Sequence, residues 1–80
     1  MNLAGCSELK KIPMYTFHGC IRAEVKLPTS ITEIENRAFG EYHDFWCRKV
    51  LVPDDENYYD IERLVRWSGY PDDRIGKYEP

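Results

Sequence analysis

Two short stretches constrain the fold of this 80-residue chain more than anything else in it: "VKLP" at residues 25–28 and "VLVP" at residues 50–53. Each is a strand-length alternation that ends at proline, which has no N–H to donate to a sheet ladder. A second echo accompanies the first. "LKKIPMYTF" (9–17) aligns with "ITEIENRAF" (31–39): an aliphatic residue, another three positions on, and a phenylalanine five further. Identity is confined to the pairs Ile12/Ile34 and Phe17/Phe39. The two intervals differ by three residues, the extra length lying in "GEYHDFW". Self-similarity at such a period marks small units that cannot bury their apolar faces alone and must stack.

The period of two in these strands assigns faces. Val25 and Leu27 share one side, with Glu24 and Lys26 on the other. Val50 and Val52 point inward, and Lys49 and Leu51 outward, so Leu51 is an apolar residue on a polar face. After Pro53 the signals become helical. Asn57 is placed to cap, with Asp60 as a capping-box partner three residues later. Ile61, Leu64 and Val65 follow at i, i+3, i+4, with Tyr58 or Tyr59 a turn earlier. Arg63 and Arg66 fall late, where cations suit the helix dipole. Gly69 then supplies a left-handed stop, Tyr70 packs back, and Pro71 prevents continuation. "RIGKYE" reads as a last short strand. The order is strand (49–52), helix (about 57–68) and strand (about 74–78), a βαβ-like unit with parallel strands.

Composition narrows the function classes. Hydrophobic residues make up 42% and charged residues 31%, so the chain folds, and its length allows one small domain. The net charge of −3 argues against coating nucleic-acid phosphates. Residues 51–80 carry the acidic excess, mostly in Asp54-Asp55-Glu56 and Asp72-Asp73, which read as helix-start and loop charges. Three widely spaced cysteines, Cys6, Cys20 and Cys47, suggest neither a disulfide framework nor a zinc site. No apolar stretch approaches the ~18 residues of a membrane span, and "MNLAGCSELKK" lacks the basic start and apolar run of a signal peptide. His18 and His43 have no neighbouring nucleophile or carboxylate in a recognisable motif, the five glycines make no phosphate loop, and Thr29-Ser30 read as turn residues. No catalysis and no cofactor are expected.

"KLPTSITEIENRAFGE" resembles the repeat of BspA-type bacterial leucine-rich repeat proteins. Leu27-Pro28, Ser30-Ile31-Thr32, Ile34 and Ala38-Phe39 fit its slots. "TFHGC" supplies Phe17 and Gly19-Cys20, and "CRKVLVP" supplies Cys47 and the next strand. The resemblance implies an α/β fold: a short leucine-rich-repeat-like solenoid with short parallel strands and a C-terminal helix-strand cap. The chain becomes a single domain over 1–80, with about two degenerate repeats in 3–53 and a cap in 54–80. Cys20 and Cys47 take equivalent inward slots, and Trp67 packs at the helix end to shield the last repeat. Solenoids usually need about three repeats, so the N-terminal open edge is expected to be covered by a partner or by further repeats.

What the resemblance implies about function is binding rather than chemistry. A protein partner is expected on the exposed strand face, at Glu24, Lys26, Lys49 and Leu51, with Tyr42 and Trp46 on the adjoining loop. A full-length protein of this sequence is expected in the cytoplasm, and a fragment of a larger repeat protein at the cell surface. A rival resemblance is local. "LVRWSGYPDD" and the closing "KYEP" resemble the cage-building strands of a chromodomain, with Phe45, Trp67 and Tyr70 near the positions that hold a methylated lysine by cation–π attraction. That reading needs a strand around Trp67 where the repeat reading needs a helix. A third alternative is a small free-standing inhibitor of the phage-borne kind that docks its acidic C-terminal half on a basic host protein.

Overall fold

Among the described residues every strand pairing is parallel and joins a residue to one 22–25 positions further along the chain. The computed structural model describes residues 2–80, with His43 by its backbone only. β1 (Lys11–Ile12) pairs with β3 (Glu33–Ile34), Lys11 to Glu33 and Ile12 to Ile34. β2 (Glu24–Lys26) pairs with β4 (Lys49–Pro53), and β4 with β5 (Ile75–Tyr78). Asn2, Lys26, Leu51 and Gly76 are successive neighbours on one row, 24, 25 and 25 residues apart. The result is a mixed α/β arrangement of short parallel strands in two sheets, ordered β1-β3 and β2-β4-β5, with one C-terminal helix. Neither sheet closes into a barrel.

The sequence echoes are therefore pairing registers. Val25 sits beside Val50 and Lys26 beside Leu51, while Leu27 donates its N–H to the Leu51 carbonyl at 2.9 Å. Ile12 lies beside Ile34, and the Phe17 and Phe39 rings stack at 5.6 Å and 5°. The bends also coincide. Tyr15 and Arg37 both adopt φ of +64°, and the Tyr15 N–H donates to the Arg37 carbonyl at 3.2 Å. Arg37 in turn donates to the Ser68 carbonyl at 2.7 Å, so a third turn of chain continues the column. Left-handed backbone costs a non-glycine residue roughly 1–2 kcal/mol, which the inter-turn hydrogen bonds and the phenylalanine stack offset.

The core lies between the inner face of the three-stranded sheet and these bends. Val25, Leu27, Phe39, Val50, Val52, Ile61 and Val65 are all buried. α1 (Tyr58–Trp67) contributes Ile61 and Val65 and packs against β4 and β3, covering the C-terminal side of the core. Gly69, at φ +98°, ends it where the sequence places a left-handed residue, and Tyr70 turns back into the core.

Three expectations need correction. Asn57 is at the N-cap position, but its side chain makes no capping bond, because its φ of −92° and ψ of 2° lie outside the extended region that aims a capping oxygen at the first turn. The Asp55 carboxylate instead closes a local turn ahead of the helix, accepting the Asn57 N–H at 2.8 Å. Trp67 does not shield the last turn of chain: it is 72% exposed, beneath the Arg63 guanidinium. Cys47 is fully buried, but Cys20 is only half-buried, at the margin of the core.

Candidate functional site

The pleat that buries Val25, Val50 and Val52 turns Glu24, Lys26, Lys49 and Leu51 to the opposite side of the β2-β4-β5 sheet. α1, the only α-helix among the described residues, lies on the core side, so no helix covers this outer face. Leu51 is half-buried at its centre. A Cβ on Gly76 would come within 2.8 Å of the Lys49 stem and 2.9 Å of a Leu51 methyl, so both side chains lean over that glycine and form a small apolar patch. Polar groups surround it. Lys26 holds its Nζ 5.4 Å from the Tyr78 ring centroid, and Arg48 meets Glu24 at 3.4 Å. Asn2, Glu24, Lys26 and Leu51 frame a shallow depression of about 140 Å³. Lys26, Arg48 and Lys49 against Glu24 leave the face locally basic on an acidic chain.

The structure thus brings together four of the six residues expected to bind a partner. Tyr42 and Trp46 belong to a different environment. Tyr42 is 62% exposed beside Phe45, in a patch that continues through His18 to Tyr15. Trp46 packs on the core, edge-on to Tyr70 at 6.3 Å, with Arg74 5.9 Å from its ring centroid.

The aromatic cage is not assembled. Tyr70 is buried between Phe39 and Trp46, and its hydroxyl donates to the Cys47 carbonyl at 2.7 Å. Burial and the contact with Cys47 push the Tyr70 phenol well above its ordinary range. Phe45 stacks on His18 at 4.8 Å. Trp67 sits at the end of α1, and the chain around it is helical rather than extended.

No protein-family model, curated protein or solved structure matches the chain.

His18 uses Nδ1 to accept the Glu41 N–H at 3.2 Å, which ties the bend at residue 18 to the next turn of chain. The side chain of His43 lies outside the described residues. Cys47 has its thiol pushed up by burial, the state of an inert buried sulfur rather than a nucleophile. Among the described residues no group of three or more His, Cys, Asp or Glu side chains is arranged to hold a metal ion. No helix among them is long and apolar enough to cross a membrane.

One feature escaped the sequence reading. A groove of about 540 Å³ runs between the loop 29–32 and the exposed side of α1. Ile31, Ile61 and Leu64 form its floor, while Thr29 and Thr32 face Asn57, Asp60, Arg63 and Trp67 across it. The available signal was the i, i+4 pair Arg63–Trp67, a cation and a ring on one helix face. The other wall could not be anticipated, because the loop 29–32 and the helix are far apart in sequence and meet only in the folded chain.

Proposed function

We propose that this chain is a short leucine-rich-repeat-type solenoid, about two degenerate repeats and a C-terminal cap, that binds an acidic protein surface through its outer strand face. The row Asn2–Lys26–Leu51–Gly76, with its 24- and 25-residue steps, supports the solenoid. The single observation that carries the binding role is the bare face of an all-parallel sheet. Parallel sheets in most folds are covered on both sides, whereas this one presents Leu51 and Gly76 within a rim of Lys26, Lys49, Glu24 and Arg48. An apolar centre in a polar rim is the anatomy of a protein interface, and the basic excess selects a negatively charged partner.

The test is capture of a partner by the immobilised chain, compared between variants. Leu51→Arg and Lys26→Glu/Lys49→Glu are expected to abolish capture while leaving the circular-dichroism spectrum unchanged, because all three side chains point away from the core. Trp67→Ala is expected to retain it, and raising the salt is expected to weaken it. A partner that is held equally by the wild type and the Leu51→Arg variant sinks the assignment.

A further inference from the structure

The groove beside α1 is distinct from the strand face and has its own chemistry. Trp67, at 72% exposure, offers an indole face that no core residue covers. Arg63, one turn earlier, holds its guanidinium 5.7 Å from the indole centroid, which limits the ring's rotamers and leaves its second face open. Beyond that Arg63–indole contact, the polar groups along the same wall keep donors and acceptors to spare. Asn57 makes no side-chain cap, and among the described residues neither Asp60 nor Arg63 forms an ion pair. On the opposite wall Thr32 donates its hydroxyl to the Lys10 carbonyl at 3.2 Å, which leaves the oxygen lone pairs as acceptors toward the groove.

The geometry points to a carbohydrate subsite for an equatorially substituted β-glucopyranoside. Such a sugar has an apolar face of axial C–H bonds and a rim of vicinal hydroxyls, each both donor and acceptor. The open indole face takes the C–H face. The planar amide, carboxylate and guanidinium of Asn57, Asp60 and Arg63 supply acceptors and donors in alternation along one helix face. The groove's volume, about 540 Å³, lies within the roughly 300–1,000 Å³ of small-ligand sites. Asp60 and Arg63 cancel, so the lining carries no net charge to recruit a phosphate or a cationic peptide.

The experiment is titration of the ¹⁵N-labelled full chain with cellobiose and, separately, with N,N′-diacetylchitobiose, following the indole N–H of Trp67. The expected result is a saturating shift with a dissociation constant on the order of 1 mM, since the groove is open. Trp67→Ala is expected to weaken binding by about tenfold or more, judged from backbone amides around Asp60. Asp60→Asn is expected to weaken it severalfold, and Leu51→Arg to leave it unchanged, which separates this site from the strand face. No shift at Trp67 with either sugar up to about 20 mM overturns the proposal. So does unchanged affinity in Trp67→Ala, or a response at Trp67 only to a peptide.

Discussion

At the scale of single residues, Tyr70 and Cys47 form a buried polar contact inside the core. The Tyr70 hydroxyl donates to the Cys47 carbonyl, and the Cys47 thiol lies 3.7 Å from the same hydroxyl. Burial raises the Cys47 thiol above its ordinary value. The sign follows: the folded chain holds the neutral thiol, whereas the unfolded chain ionises it near pH 8.5. Stability from this site is therefore present below about pH 8.5 and is lost as pH rises beyond it. Labelling with a disulfide reagent at pH 8 is expected to modify exposed Cys6 first, half-buried Cys20 more slowly and Cys47 only on unfolding. Rapid labelling of Cys47 in the native state would contradict its buried placement. The sequence showed three unpaired cysteines, but only the fold ranks them, because equivalence along a repeat does not make the two ends of a stack equally covered.

At the scale of the element, the bends carry more constraint than the strands. Gly40 and Gly19 both have positive φ, at +128° and +83°. A Cβ at Gly40 would stand 2.6 Å from the Phe45 carbonyl oxygen, while one at Gly19 meets open space. Gly40→Ala is expected to cost about 3 kcal/mol or more, from backbone strain and a clash with main chain that cannot rotate away. Gly19→Ala is expected to cost about 1–2 kcal/mol, from its backbone angle alone. Urea denaturation of the two variants measures the difference, and equal losses would count against the close approach at Phe45. The helix was legible because its apolar stripe, glycine stop and proline agree. Its start departs from expectation at Asn57, whose side chain makes no capping bond, while Asp55 two residues earlier closes a local turn onto the Asn57 N–H ahead of the helix.

At the scale of the whole molecule, a column of rings joins successive turns of chain. Phe17 stacks on Phe39 at 5.6 Å, and Tyr70 meets Phe39 edge-on at 5.5 Å. Phe39 is the shared member. Phe39→Ala is expected to remove about 3–5 kcal/mol, a large part of the ~4–12 kcal/mol expected of a domain this size. Phe17→Ala is expected to act more locally, speeding amide exchange through residues 9–20 while the β4–α1–β5 region keeps its protection. Hydrogen exchange distinguishes the two, and a uniform loss of protection in Phe17→Ala would argue against turn-by-turn stability.

The sequence by itself determined the periodicities: the paired "VKLP" and "VLVP" strands, the Ile and Phe echoes, the helix with its Gly69 stop, and the outward side of Lys26, Lys49 and Leu51. These follow from side-chain alternation and backbone preference, which act over a few residues and are written in residue type. Tertiary structure alone decided what those elements face. It sent Tyr70 inward and Trp67 outward, although they are three residues apart, because Gly69 reverses the chain between them. It separated Phe45, Trp67 and Tyr70, turned Trp46 from the loop beside the strand face onto the core, and set the loop 29–32 against α1 to make a groove. Which partner a side chain meets depends on the stacking of turns 22–25 residues apart, and local sequence carries no record of that distance.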